Sequence, residues 1–236
     1  MDHTERKRQP QVSLVDLLAG MLVAAIWCAA NQKSFANLDL SQNLANMLFQ
    51  FGLILIYFFG ATGLCLFVRR WYLGMVTDFQ PGHWWLCLVG ILVVYVLLAV
   101  LVEWNVVPLN ELDRTWKLKW LFGQGAGYIG VLWISGLLLP VRRAWWLTLI
   151  PQTLVHLGTM ALWAAVLAGY TSYGVYYQPR FQFFSLPLAL VLLWSVAIWD
   201  ARTTPDRRDW LHWFGLVVAS MVSGNELINR ILHAFS

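Results

Sequence analysis

WLHWFGLVVASMVSGNELINRIL, residues Trp210 to Leu232, is the stretch whose reading decides the fold. Its first half is almost wholly apolar, and the run as a whole is about the 20 residues that a helix needs to cross bilayer hydrocarbon. It then turns polar, with Asn225, Glu226, Asn229 and Arg230 in quick succession and His233 just beyond. Such a run reads as a membrane helix with one wet end, or as one wall of a polar site inside a membrane protein.

The rest of the chain supports the membrane reading. Of 236 residues, 59% are hydrophobic and only 12% charged, with a mean hydropathy of +0.61, well outside the composition of soluble domains. The four lysines and almost all the arginines fall between apolar runs, so the basic balance speaks for orientation in a bilayer and not for a nucleic-acid partner. Fifteen tryptophans suit headgroup-level belts, most of them being near run ends. Cys28, Cys65 and Cys87 lie inside apolar runs without a CxxC pair and read as small core residues, with neither disulfide nor zinc expected. The run after the basic MDHTERKRQPQ is longer than a cleavable signal's apolar region, so it is kept as the first helix.

Seven runs qualify as spans: 12–30, 44–68, 83–102, 118–139, 145–169, 183–199 and 210–232. No Gly/Ser-rich or Pro-rich linker interrupts them, so residues 1–236 are read as a single domain. With the N-terminus inside, ten Lys and Arg lie on inner segments and six on outer ones. That bias predicts an all-α bundle of about seven transmembrane helices, N-in and C-out, in the cell membrane. Arg69-Arg70, Arg142-Arg143 and Arg207-Arg208 precede Trp71, Trp145 and Trp210 at the inner turns, which is what any inner turn prefers.

Polar groups in hydrocarbon cost several kcal/mol, so each calls for a reason. Ser13 to Asp16 fits a capping box. Gln152, His156 and Thr159 fall at i, i+4 and i+7 on one face of the fifth helix, with His156 near mid-membrane and expected to be buried and neutral. Asn43, Asn46 and Gln50 share the outer end of the second helix, at the level where Asn225, Glu226, Asn229 and Arg230 end the seventh. Gln124 of the fourth lies at that level too. Glu226 stands one turn before Arg230, the favourable order for an ion pair. The expectation is an outward-facing polar pocket, capped by the Glu103 to Lys117 loop and by Tyr170, Tyr173, Tyr176 and Tyr177.

Other motifs carry less. Gly125-Ala-Gly127-Tyr-Ile-Gly130 spells GxGxxG without a preceding strand, and Gly123 with Gly127 suggests close helix packing instead. Asn225-Glu226-x-x-x-Arg230 is similar to the Glu-Glu-x-x-x-Arg motif of CAAX-type intramembrane proteases, and Phe79 to His83 matches their Phe-x-x-x-His. The first Glu is Asn here, the motif order is reversed, and a later His-x-x-x-Asn is missing. Trp199-Asp200-Ala201-Arg202 resembles the tail of the Trp-rich loop of haem-handling proteins over four residues, without the dense Trp cluster that precedes it. Neither family is assigned. His83 and His212 each open a helix at the inner face, and a bis-His haem is the minor reading of that pair; no cofactor is expected.

The expected function is binding or transport of a small solute or lipid, with Asn46, Gln50, Gln152, His156, Asn225, Glu226, Asn229 and Arg230 as binding residues. The lipid bilayer is the expected partner, and a role as the membrane subunit of a complex fits the same features. The alternative is an integral membrane enzyme acting on a lipid or isoprenoid, with Glu226 or His156 as acid or base.

Overall fold

The computed structural model describes residues 12–32, 44–74, 79–105, 114–138, 142–168, 171–204 and 208–234. Among them every regular element is helical: α1 (Leu14–Ala30), α2 (Leu44–Tyr72), α3 (Pro81–Asn105), α4 (Arg114–Leu138), a 3-10 turn (Arg143–Thr148) leading into α5 (Leu149–Leu167), α6 (Thr171–Thr203) and α7 (Trp210–Ala234). The number and order of the seven apolar runs are those of the seven helices. Three stretches, Asn46–Tyr72, Pro81–Leu98 and Phe183–Thr203, are long and apolar enough to cross a membrane, and shorter apolar helices cover Leu14–Ala30 and Gly125–Leu138.

The fifth and sixth runs depart most from their expected bounds, and every other helix end lies within about four residues of its own. The fifth run, expected as one helix from 145, begins as the 3-10 turn because Pro151 has no N–H to donate back to Leu147, which leaves the preceding residues free to wind more tightly. The sixth, expected over 183–199, occupies Thr171–Thr203. The helical backbone continues through Gly174, Pro179 and Pro187.

Local chemistry sets the other ends. Ser13 and Asp16 form the full capping box at the start of α1. Pro81 occupies the first position of α3, where a missing N–H costs nothing. Gly74, with φ of 65°, takes the left-handed conformation that closes α2.

α2, α3 and α7 pack on one another, α6 packs on α7, α5 on α6, α4 on α5, and α1 lies against α2. Small residues make the closest approaches. A Cβ on Gly63 or Gly90 would overlap Leu86 or Leu64 across the α2–α3 seam, and one on Gly20 would overlap Thr62 across α1–α2. Gly82 and Gly215 bring the backbones of α3 and α7 into direct contact, since a Cβ on Gly82 would strike the His212 carbonyl and one on Gly215 the Gly82 carbonyl. By contrast a Cβ on Gly123 or Gly127 meets open space among the described residues, so the GxxxG pair does not pack a described helix.

Tryptophan is divided between surface and core. Trp71, Trp199 and Trp210 are exposed, as a belt requires, whereas Trp84, Trp85 and Trp145 are buried and anchor the core with Leu86, Leu132, Leu149, Leu211 and Leu216. Several indoles reach hydroxyls on neighbouring helices: Trp84 donates to Ser135 at 2.8 Å, Trp194 to Ser220 at 3.0 Å and Trp133 to Thr153 at 2.9 Å.

Gly215→Ala should destabilise the protein by about 1–3 kcal/mol through overpacking, while Gly127→Ala should change stability by no more than about 0.5 kcal/mol. Thermal unfolding of the detergent-purified variants checks this, and equal midpoints would contradict the direct backbone contact.

Candidate functional site

The bundle has two polar ends of different chemistry. At the end where α3 and α7 begin, carboxylates, guanidiniums and imidazoles meet. Asp16, fully buried, accepts from Arg69 at 2.8 Å and so ties α1 to α2. Asp200, also fully buried, is held by Arg142 at 3.3 Å and by Arg208, joining the turn before α5 to α6 and to the residues that precede α7. Asp209 is approached by Arg70 at 3.4 Å and by His83 Nε2 at 3.0 Å.

Around Asp209 the first turns of α3 and α7 cap each other. Helix starts leave amide donors without intrahelical partners, and here each helix supplies acceptors to the other. The Asp209 carboxylate accepts from the His212 amide at 2.8 Å, and the Asp209 amide donates to Gln80 Oε1 at 3.1 Å. The Gly82 amide donates to His212 Nδ1 at 3.0 Å, and the Gln80 amide to His83 Nδ1 at 3.2 Å. Because Nδ1 of His83 accepts, its Nε2 carries the proton given to Asp209. Both nitrogens of His83 are thereby engaged by protein groups, and Nδ1 of His212 caps the start of α3, while His212 Nε2 is buried without a partner among the described residues. Burial alone raises the Asp209 carboxyl, but the His83 hydrogen bond, the His212 amide and Arg70 together outweigh it and hold the group at about 2, against an ordinary 3.8.

The other end is built from carboxamides. Asn225 of α7 donates from Nδ2 to the Phe49 carbonyl of α2 at 3.1 Å. Its side chain lies over Gly52, where a Cβ would overlap it. Asn46 and Gln50 flank that contact on α2, and Asn229 follows Asn225 by one turn on α7. Gln50 Oε1 and Asn229 Oδ1 are both buried without a hydrogen-bond donor among the described residues. Glu226 and Arg230 form the i, i+4 pair that their spacing suggests, at 2.8 Å, each still partly open to solvent.

The polar face expected on α5 separates among its neighbours. Gln152 donates to the buried Ser223 of α7 at 3.1 Å. The His156 ring lies 4.0 Å from the Tyr128 ring of α4, centroid to centroid, and Thr159 bonds the carbonyl of Val155 in its own helix. Asn225, Gln152 and Ser223 thus link α7 to both α2 and α5. Residues 106–113, Asn43 and Tyr170, assigned to the pocket or its cap, lie outside the described residues, as do the side chains of Gln124, Tyr173, Tyr176, Tyr177 and His233.

The sequence alone does not reveal the ion pairs at the first end, because orientation already accounts for the arginines there. The available signal was Asp16, Asp200 and Asp209 at the same depth as the paired arginines. Among the described residues no three His, Cys, Asp or Glu side chains gather as a metal site. Comparison with protein families, curated proteins and solved structures finds no match to this chain.

Two outcomes are expected. A carboxylate with a lowered pKa stabilises the fold fully above the unfolded value near 4 and loses that contribution as pH falls toward 2. The thermal midpoint should therefore drop between pH 4 and 2 in the parent chain and drop less in Asp209→Asn. At the other end, cysteines at positions 52 and 225, in a background without Cys28, Cys65 and Cys87, should cross-link on mild oxidation; failure would separate α2 from α7 there.

Proposed function

We propose that this chain is a seven-span integral membrane protein, N-in and C-out in the cell membrane, that binds and moves a small polar solute or a lipid headgroup at the carboxamide end of α2 and α7. The observation that carries the reading is the pair of buried oxygens, Gln50 Oε1 and Asn229 Oδ1, left without donors among the described residues on the two helices that the Asn225 contact joins. A buried acceptor without a partner costs about 1–3 kcal/mol, so one on each of two joined helices suits a ligand that brings hydroxyl or ammonium donors. Asn225 fixes the spacing of the two helices, and the Glu226 and Arg230 pair adds a partly hydrated charge of each sign beside them.

The membrane assignment rests on three long apolar helices and on a ten-to-six excess of Lys and Arg on the segments assigned inside. The enzyme alternative draws less support. Glu226, its acid or base, is engaged by Arg230, and His156 stacks on Tyr128 away from any described carboxylate.

Hydroxyl- and ammonium-bearing probes, such as glycerol, ethanolamine and their phosphate esters, should raise the thermal midpoint of the purified protein. Asn229→Leu removes an unsatisfied acceptor, so the ligand-free variant should be as stable as the parent or more so while binding the active probe at least about tenfold more weakly. A variant that loses stability without any probe, or binds as well as the parent, would overturn the site. Orientation is checked separately: a C-terminal reporter active only in the cytoplasm should stay silent.

A further inference from the structure

The arginine end is not uniformly balanced. On the α1, α2 and α3 side each described guanidinium meets a carboxylate, Arg69 with Asp16 and Arg70 with Asp209. At the corner where the 3-10 turn packs on α6, the described residues carry four arginines, Arg142, Arg143, Arg202 and Arg208, and the single carboxylate of Asp200. Arg142 and Arg208 take that carboxylate between them. Arg143, next in the chain to Arg142, and Arg202, two residues beyond Asp200, are exposed and have no carboxylate partner among the described residues. Trp199 stands three residues before Arg202, on the same helical face, and its indole is half exposed.

A surplus of positive charge beside an exposed indole at the end of an apolar helix matches one partner in chemistry. A phospholipid with a net negative headgroup offers phosphate oxygens to the guanidiniums, a polar boundary to the indole and acyl chains to the apolar face below. We propose that the Arg143 and Arg202 corner is a binding site for an anionic phospholipid of the leaflet that faces it. This rests on the membrane reading above. The two arginines are unpaired for the lipid's benefit in the same sense that the other four are paired for the fold: Asp200 neutralises the charge needed to close the helix ends, and the remainder is presented to the bilayer.

The test measures retention of phosphatidylglycerol against phosphatidylcholine of the same acyl chains by the detergent-purified protein, using native mass spectrometry. The parent should prefer phosphatidylglycerol, and Arg143→Gln with Arg202→Gln should lower that preference about 30-fold, as two surface arginines imply. Arg143→Lys with Arg202→Lys keeps the charge and should keep most of the preference. Should the Gln variant fail to fold, the salt dependence of the parent decides, because an electrostatic site must weaken as salt rises. Absence of any preference in the parent, an unchanged preference in the Gln variant, or salt-insensitive retention would overturn the proposal. Displacement by millimolar inorganic phosphate would also overturn it, as the sign of a soluble-anion site. Extraction of the chain from membranes by alkaline carbonate would instead overturn the membrane reading, whereas a chain that resists extraction and shows no lipid preference refutes this inference alone.

Discussion

The arrangement depends on the contact between the Gly82 and Gly215 backbones. Without side chains at those two positions the first turns of α3 and α7 lie against each other, close enough for the Gly82 amide to reach His212 Nδ1 and for the Asp209 amide to reach Gln80. A methyl group at either glycine would strike a carbonyl of the facing helix. The amide donors that helix starts leave open are then satisfied by the partner helix, so the closeness of approach and the hydrogen-bond complement are one constraint. α2 joins through Arg70, and α6 through the Asp200 carboxylate held by Arg208.

The chemistry of the two ends differs in what it has left over. At the arginine end buried carboxylates are matched by guanidiniums, because a buried charge without a partner is far more costly than a surface one. Those pairs serve assembly, and the surplus lies at the surface. Among the described residues the buried side-chain atoms left over at the arginine end are nitrogens, Arg70 Nε, Arg208 Nε and His212 Nε2 among them, whereas at the carboxamide end, where Asn225 is satisfied by a backbone carbonyl, Gln50 and Asn229 each keep a buried oxygen without a donor. Neutral amides make such a vacancy tolerable where charges would not.

How much of this was legible depended on the range of each interaction. The helices and most of their limits follow from apolar run length, and the Ser13 and Asp16 cap is written within four residues. The partners of the arginines lie far along the chain, 53 residues for Arg69 and Asp16 and 139 for Arg70 and Asp209, and inner arginines already have a sufficient explanation without partners. Gln80-Pro81-Gly82 reads as a turn, and nothing local says that its glycine receives another backbone. The α5 face of Gln152, His156 and Thr159 was visible as a periodicity, but one face of a helix meets two neighbours, and its three groups found three different partners. Shared depth was the better guide, because depth alone put Asn225 beside the second helix, and the contact with Phe49 lies there.

The position of α7 has a meaning for biogenesis. Synthesis proceeds from the N-terminus, so the helices on which α7 packs, α2, α3 and α6, emerge before it. Until Arg208 and Asp209 follow, Arg70 and His83 lack the carboxylate between them, Asp200 lacks one of its two guanidiniums, and the Gly82 amide has no imidazole to receive it. Before then α1 can already pack on α2, α2 on α3 and α5 on α6, while the polar groups that α7 completes are without these partners. Entry of the seventh helix supplies those partners and closes its Gly215 face onto α3, so its arrival separates finished chains from stalled ones in which these polar groups are still unpaired.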